Sequence, residues 1–297
     1  MAIYDVYGNV ISTDGGTSYN WSDKKIVFEG DSITKNIGFP AYIANGLGAS
    51  AVDISLAGFP VMGIYSGEDK DMRHRISNIP SDADAIIVMG DINSHIVASN
   101  VTSDLYSFST DLSKWAGRVN VYIDSVKRAF PTVPLFLVSE YGMESNGVTS
   151  ELVADYYEIV AKRFGCVFVP VASESGFSLM YSYPLYGKDG TDKVHAKTDC
   201  VGLWAECVLN KIKTIKPPTF ANTDTISIDG TKSVTVGGTA DIGYTVTGNL
   251  SLQWTSSDYT VACVMGGKVY GISQGTATIT AKTRKGNTAT CTVTVTA

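Results

Sequence analysis

The sequence has few histidines, no long apolar run and no excess of positive charge, and each absence excludes a class of protein. No apolar run approaches the roughly 20 residues of a membrane-spanning helix, so no membrane span is expected. The 23 basic and 29 acidic residues give a net charge of −6, which argues against a nucleic-acid-binding protein. The first residues contain neither a basic nor an apolar segment, so the sequence predicts no signal peptide in this chain.

The cysteine pattern excludes two common uses of thiols. The five cysteines are an odd number and include no Cys-x-x-Cys pair. This pattern indicates neither a zinc site nor a redox pair, so we expect no metal and no other cofactor. The thiols are predicted to be free and buried, because a chain of this length does not need disulfides to hold its core.

What is present is an ordinary globular composition that changes once along the chain. At about 150 residues per domain, the 297 residues predict two domains. The change falls at Lys216-Pro-Pro-Thr-Phe220, a stiff double-proline segment. Residues beyond it include five basic and four acidic side chains, no Glu and no His, and many Ser and Thr. We predict an N-terminal arm at 1–22, a first domain at 23–216, a linker at 217–221 and a second domain at 222–297.

The first domain alternates short apolar runs with segments of helical periodicity. The runs are rich in β-branched residues and end at Gly, Ser or Pro, which is typical of buried strands. They are Ile26–Phe28, Ala51–Ile54, Ala85–Met89, Leu135–Val138 and Val167–Val169. Helical spacing recurs over 115–130 and 201–212. This order predicts a doubly wound, flavodoxin-like α/β/α sandwich with a parallel sheet, whose ligands bind at the carboxyl ends of the strands.

The second domain alternates apolar and polar residues at period two, with Gly, Asn and Asp turns between the runs, which predicts a small β-sandwich. Three segments carry a resemblance to the bacterial Ig-like group 2 domain: Trp254-Thr-Ser-Ser-Asp-Tyr-Thr-Val-Ala262, Gly267-Lys-Val-Tyr-Gly271 and Gly275-Thr-Ala-Thr-Ile-Thr-Ala281. The resemblance implies an all-β Ig-like sandwich that acts as a spacer or binding module on a surface protein.

A candidate nucleophile follows the first predicted strand, in Gly30-Asp31-Ser32. A serine between a buried strand and a helix is placed as a nucleophile would be, and the glycine permits the sharp turn that precedes it. The alternative is a simple strand-to-helix turn in which Ser32 is the helix N-cap.

A candidate base lies near the end of the first domain, in Asp192-Lys-Val-His195. Serine is a poor nucleophile unless a base, oriented by a third group, takes its proton. A carboxylate three residues before a histidine can face the imidazole and orient it. The pair could instead be metal ligands or part of an incidental loop, although no other His or Cys is spaced to complete a metal site.

Together, the early Gly-Asp-Ser and the late Asp-x-x-His resemble the SGNH (GDSL-type) serine hydrolase family over about residues 23–215. The resemblance implies that Ser32 is the nucleophile, His195 the general base and then acid, and Asp192 the orienting carboxylate. It also implies an oxyanion hole formed by the backbone N–H groups of Ser32 and Gly58, the latter in the segment Ile54-Ser-Leu-Ala-Gly58.

The third motif of that family departs from its pattern here. The family has Gly-x-Asn-Asp after the third strand, whereas this chain has Met89-Gly-Asp-Ile-Asn93. We expect the Asn93 amide to complete the oxyanion hole through a longer turn; the alternative is that this donor is missing. His74 is predicted to be a solvated helix residue. His95 could line the cleft, but a position on a surface loop is the preferred interpretation. Met62, Tyr141 and Met143 could line an acyl pocket or belong to the core.

The leading hypothesis is an esterase that hydrolyses small acyl esters, acetyl esters first, on a cell-surface polysaccharide. The expected partner is therefore an acylated glycan. The N-terminal arm or the Ig-like domain would attach the protein to a virion or a cell surface, so it is expected to be extracellular or virion-associated, for example as a phage-tail esterase. The alternative is a non-catalytic surface or phage-tail glycan-binding protein with a degenerate hydrolase fold, which the irregular third motif would support.

Overall fold

The computed structural model describes residues 3–4, 10–12, 18–65, 69–90, 108–145 and 148–297. The strands are β1 Ile3–Tyr4, β2 Val10–Ser12, β3 Lys25–Gly30, β4 Ser50–Asp53, β5 Ala85–Met89, β6 Leu135–Val138, β7 Glu144–Ser145, β8 Val148–Thr149, β9 Val167–Val169, β10 Thr225–Ile228, β11 Thr231–Thr235, β12 Thr239–Asp241, β13 Tyr244–Thr247, β14 Leu252–Ser256, β15 Ala262–Met265, β16 Lys268–Gly271, β17 Gly275–Thr283 and β18 Thr288–Thr296. The α-helices are α1 Ser32–Asn36, α2 Phe39–Leu47, α3 Met72–Arg75, α4 Trp115–Ala129, α5 Ser150–Phe164, α6 Val171–Glu174, α7 Leu179–Tyr186 and α8 Val201–Lys213.

The contacts divide the chain into two compact units. The first comprises residues 1–60, 85–98 and 135–217, and the second comprises 61–84, 99–134 and 218–297. The last boundary between the units, after residue 217, lies within the predicted linker at 217–221, but the C-terminal residues share their compact unit with two earlier segments. Whether residues 222–297 fold on their own stays a prediction.

The first unit is built on a five-stranded parallel sheet in the order β4-β3-β5-β6-β9. This is the flavodoxin-like order, in which the chain leaves the first strand toward one edge and then returns to the other side. The predicted α/β/α fold is thus confirmed. The strand order reverses between β3 and β5, so the crevice between their carboxyl ends is the expected ligand site.

Burial along the sheet differs from the sequence-based expectation at both edges. At the edge formed by β9, Val167 and Phe168 are only partly buried. Strands β5 and β6 are buried along their whole length, and β3 at all but its first residue, as predicted for a sheet covered on both faces. Strand β4 was also expected to be buried, but Ser50, Ala51 and Asp53 are exposed. The reason is its position: β4 pairs only with β3 and forms the edge of the sheet.

The core of this unit holds an aromatic cluster between the sheet and the helices. Phe28 of β3 contacts Phe39 of α2 edge-on, with ring centroids 5.7 Å apart. Phe39 in turn lies 5.0 Å from Trp204 of α8, and Trp204 lies 5.2 Å from Tyr141. These rings connect β3, α2 and α8 with the segment that follows β6. The packing fixes the positions of the elements that carry the candidate site.

The C-terminal part of the second unit is all-β. Its sheets have the orders β11-β18-β17-β14, β12-β16-β15 and β10-β13, and β11 and β18 pair in parallel while the other pairs are antiparallel. The period-two runs correspond to β11, β14, β16, β17 and β18. Strands β10, β12, β13 and β15 were not predicted. The period-two pattern therefore identified the longer strands, and the all-β class is confirmed.

Within the second unit, the C-terminal strands and residues 61–84 share polar contacts. Arg284 donates to Ala83 O and Asp84 Oδ1, both at 2.8 Å. His74 of α3 stacks on Tyr259, with ring centroids 3.7 Å apart, and its Nδ1 lies 3.3 Å from Asp69 Oδ1. The prediction of a solvated His74 is wrong, because one face of its ring stacks on Tyr259, which lies 185 positions away in the chain.

The remaining predictions on chain organisation have mixed outcomes. In the N-terminal arm, β1 and β2 pair in antiparallel fashion; its attachment role stays a prediction. Cys200, Cys263 and Cys291 are free thiols and buried as expected, whereas Cys166 and Cys207 are only partly buried. Among the described residues, no helix is long and apolar enough to cross a membrane.

Candidate active site

The strand-to-helix junction at Asp31 leaves the Ser32 hydroxyl available for other contacts. Helix α1 begins at Ser32, and its N-cap is Asp31, whose Oδ1 accepts a hydrogen bond of 2.9 Å from Ile33 N–H. The aspartate thereby satisfies one of the backbone donors that a helix start leaves unpaired. The alternative of Ser32 as N-cap is therefore wrong, and the capping carboxylate is completely buried.

Only glycine fits at position 30, the last residue of β3, because there is no space for a side chain. A Cβ at this position would collide with the Thr34 side chain and the Met89 carbonyl group. Thr34 Oγ1 donates to that same carbonyl at 2.9 Å, which ties the start of α1 to the end of β5. The expectation that Gly30 permits a sharp turn is thus replaced by a packing reason: the ends of β3 and β5 and the first turn of α1 lie too close for any side chain.

A continuous chain of hydrogen-bonding groups joins Ser32, His195 and Asp192. His195 Nε2 lies 2.7 Å from Ser32 Oγ, and His195 Nδ1 lies 2.8 Å from Asp192 Oδ2. Ser32 is 6% exposed, and the side chains of His195 and Asp192 are about a quarter exposed. The structure therefore brings together three side chains that the two sequence motifs contain, across 163 positions of the chain. Both ring nitrogens of His195 are engaged within the protein.

The Asp192 carboxylate is held in its ionised form. Burial acts to raise its pKa, but hydrogen bonds from the N–H groups of His195 and Val194 and from the imidazole outweigh that effect and lower it. Oδ1 accepts both backbone N–H groups, at 3.0 and 2.8 Å, which leaves Oδ2 for the imidazole. An anionic Asp192 accepts a hydrogen bond from the Nδ1–H group of His195, so that Nε2 carries the lone pair facing Ser32 Oγ.

The loop that carries Asp192 and His195 is organised by Asp189, which the sequence analysis missed. Asp189 Oδ1 accepts hydrogen bonds from Thr191 N–H, Thr191 Oγ1 and Asp192 N–H, at 2.8 to 3.0 Å. These bonds lower the pKa of Asp189 to about 2. The signal was available, because Asp-Gly-Thr-Asp is a typical sequence for an Asx turn. The loop is closed at its base by a bridge between Gly187 and Ala196.

Tyr141 holds the other side of the histidine loop. Its hydroxyl group donates to Val194 O at 2.7 Å and accepts from Ala196 N–H at 2.9 Å, so it binds both neighbours of His195. The ring is fully buried, and burial raises the pKa of this hydroxyl far above its ordinary value. Of the two alternatives left open for Met62, Tyr141 and Met143, the core applies to all three, since each is at most 1% exposed.

Gly58 lies on a turn that is attached to the end of β3. Ile54 N–H donates to Phe28 O at 2.9 Å and Leu56 N–H donates to Gly30 O at 3.0 Å, which carries the chain past the start of α1. Gly58 has a φ of +82° and is exposed. Among the described residues, none accepts a hydrogen bond from its N–H group. Asn93 and His95 lie outside the described residues.

An open cavity of about 400 Å³ lies beside His195. It extends from the end of α1 to the residues that follow His195 in the chain. Its lining includes Asn36, Ile37, Lys188, His195, Lys197 and Asp199. The arrangement can therefore hold a small polar molecule next to the imidazole.

Comparison with known proteins shows the fold. No protein-family model matches the sequence, and no curated protein matches it. One solved structure is 18% identical, with a TM-score of 0.55 over 66% of this chain and 99% of its own. A protein from Lactobacillus plantarum is 19% identical, with a TM-score of 0.52 over 64% of this chain and 96% of its own. Phospholipase A1 from Streptomyces albidoflavus is 13% identical, with a TM-score of 0.44 over 65% of this chain and 100% of its own.

Proposed function

We propose that this protein is a serine ester hydrolase in which Ser32 is the nucleophile, His195 the general base and acid, and Asp192 the orienting carboxylate. One observation carries the proposal: His195 lies within hydrogen-bonding distance of Ser32 Oγ through Nε2 and of Asp192 Oδ2 through Nδ1. A serine that touches the base, with the base oriented by an anion, is the arrangement that nucleophilic acyl transfer requires.

In the first half of the reaction, Ser32 Oγ attacks the ester carbonyl carbon while His195 Nε2 takes the hydroxyl proton. Asp192 stabilises the imidazolium that forms. The backbone N–H groups of Ser32 and Gly58, with the Asn93 amide as a third donor, would donate hydrogen bonds to the negatively charged carbonyl oxygen. The tetrahedral intermediate then collapses: the bond to the alcohol oxygen breaks, and His195 returns its proton to that oxygen.

In the second half, water attacks the acyl group on Ser32, and His195 takes the water proton. Collapse of this intermediate breaks the bond to Ser32 Oγ, His195 returns the proton to the serine, and the carboxylic acid leaves. No redox step and no cofactor are needed for this sequence. The anionic state of Asp192 is what keeps the imidazole in the required tautomer through both halves.

The finer proposal is that the substrate is an acetyl ester on a cell-surface polysaccharide, and that the protein works outside the cell or on a virion. Its support is the resemblance of residues 222–297 to surface-type Ig-like domains. The rival is a non-catalytic glycan-binding protein. Its only support was the irregular third motif at Asn93, which lies outside the described residues, whereas the hydrogen-bonded Ser32–His195–Asp192 chain supports turnover.

The proposal is tested by covalent labelling and by turnover of p-nitrophenyl acetate. We expect a fluorophosphonate to add to Ser32 in the full-length protein, and Ser32→Ala to lose both the label and at least about 10³-fold in kcat. Ser22→Ala, which removes an exposed hydroxyl in the same unit, is the matched control and should change neither. Activity of Ser32→Ala within tenfold of the wild type would contradict the assignment.

A further inference from the structure

The cavity beside His195 is where the proposed reaction would place the alcohol half of an ester. This step rests on the proposed function. General acid catalysis requires that the protonated Nε2 of His195 reach the leaving oxygen, so the leaving group must lie against the imidazole. A cavity of about 400 Å³ lined by His195 itself and by the residues after it is therefore the place for the alcohol half.

Two lysines give this cavity a positive lining. Lys188 is exposed, and its backbone N–H donates to His195 O at 2.9 Å, so its backbone lies directly across the loop from the base. No ion-pair partner for its ammonium group is found among the described residues. Lys197 donates one hydrogen bond to Leu185 O at 2.8 Å, which leaves two N–H groups for another acceptor.

The lining also contains one carboxylate, that of Asp199. Two other acidic side chains of the histidine loop, Asp189 and Asp192, do not line the cavity, and their oxygens accept hydrogen bonds from the loop itself. The cavity thus has two cations against one anion, together with the neutral amide of Asn36. A neutral alcohol would leave both ammonium groups to water, whereas an anion would accept charge-assisted hydrogen bonds from them.

We propose that the leaving-group cavity binds an alcohol that carries a negatively charged group, so that the preferred substrates are esters of anionic alcohols. An acyl ester of an acidic sugar belongs to this class. The charged group is held by Lys188 and Lys197, and the ester oxygen points back toward His195 Nε2. This assigns a substrate-recognition role to two residues outside the Ser32–His195–Asp192 chain.

The test compares 3-acetoxybenzoate with its uncharged methyl ester, methyl 3-acetoxybenzoate. The two have the same acyl group and similar phenol leaving groups, and their rates of hydroxide hydrolysis correct for intrinsic reactivity. We expect the full-length protein to prefer the anionic ester by about fivefold to tenfold in kcat/KM, which is the range for two exposed ion pairs. The preference should shrink in 0.5 M NaCl, because salt screens exposed charges.

Variants assign the preference to the cavity. Lys188→Gln and Lys197→Gln should each lower the ratio of anionic to neutral kcat/KM by about threefold, and Lys188→Glu should reverse it. Lys162→Gln is the matched control, because Lys162 is an exposed lysine that pairs with Glu158 on α5 and does not line the cavity. Its ratio should equal that of the wild type.

The outcomes separate this inference from the proposed function. If neither ester is hydrolysed and no fluorophosphonate adds to Ser32, the proposed function fails. If both esters are hydrolysed with equal corrected efficiency, or if the lysine variants keep the wild-type ratio, the esterase stands and the anionic leaving group is overturned. A preference that is unchanged in Lys162→Gln and reduced about threefold in both Lys188→Gln and Lys197→Gln supports the inference.

Discussion

The two segments that meet at the candidate site are held in place by different means. The serine segment, Gly30–Asn36, consists of a strand end and a helix, and it is fixed by backbone geometry and close packing. The histidine loop, Gly187–Ala196, contains no regular element beyond the bridge at its base. It is fixed by hydrogen bonds that backbone N–H groups of the loop donate to the side chains of Asp189, Asp192 and Tyr141.

The difference indicates how each half should respond to substitution. A residue fixed by packing against the sheet cannot be replaced without moving neighbouring backbone, so its substitution should mainly lower the free energy of unfolding. A loop fixed by individual hydrogen bonds can lose one of them and keep the fold, so the loss of one hydrogen bond should mainly lower kcat. Each variant below tests this contrast by measuring kcat and unfolding on the same protein.

Asp192→Asn should have the largest effect, and almost all of it on turnover. The amide oxygen can still accept hydrogen bonds from the loop N–H groups, but the NH₂ group cannot accept one from Nδ1–H, so the imidazole is left in the wrong tautomer. We expect kcat on p-nitrophenyl acetate to fall by about 10³- to 10⁴-fold while the melting temperature changes little. A variant with kcat within tenfold of the wild type would mean that another carboxylate orients His195.

Gly30→Ala should have the opposite signature. The new Cβ would meet the Met89 carbonyl, which is backbone of a central strand and cannot rotate away. Overpacking of this kind costs about 1–3 kcal/mol of the free energy of unfolding, measurable in urea. Gly230→Ala is the control, since a Cβ there meets nothing within 4 Å. Equal stability of the two variants would contradict the packing argument.

Tyr141→Phe separates the two effects within one residue. The loss of the hydroxyl group leaves Val194 C=O and Ala196 N–H without their partner, which costs about 1–3 kcal/mol for a buried site. Because these residues flank His195, we also expect kcat to fall about tenfold with KM nearly unchanged, as for a group that positions the base.

The control for Tyr141 is Tyr259→Phe. Tyr259 belongs to the second unit, and its hydroxyl group accepts from Ser256 N–H at 3.1 Å. This variant should lose stability without losing kcat. If Tyr141→Phe showed the same pattern, Tyr141 would be a structural residue only, and its contacts beside His195 would have no part in turnover.

The same contrast explains what the sequence could predict. Strand runs and the Gly-Asp-Ser motif are local patterns, so the sheet and the place of Ser32 were predictable, and the Asp-x-x-His spacing identified the partner of His195. Tyr141 was not predictable as a loop anchor, because its partners lie 53 and 55 positions away and a buried tyrosine fits a core equally well. An edge strand such as β4 cannot be told from a central one by its own residues.

The composition change at residue 216 likewise shows where the amino-acid composition of the chain changes, but it does not show which segments pack against one another. Residues 61–84 and 99–134 precede the boundary, yet they belong to the compact unit of 218–297. The stacking of His74 on Tyr259 is one such contact, and neither residue has a local pattern that predicts the other. Long-range side-chain contacts are what single-sequence patterns leave open.

The smallest effect is expected at Asp189, and it is a matter of pH. The folded-state pKa of about 2 lies below the ordinary value for aspartate, so the ionised carboxylate stabilises the loop above about pH 4. That stabilisation should be lost as the pH falls through about 2, where the folded state takes up the proton.

Asp189→Asn keeps an acceptor oxygen but has no charge to titrate. The difference in melting temperature between wild type and Asp189→Asn should therefore be positive at pH 5 and shrink toward zero at pH 2. Turnover at pH 7 should fall only a few-fold, since Asp192 and Tyr141 still hold His195. A difference that stayed constant from pH 5 to pH 2 would show that the Asp189 charge does not contribute to the loop.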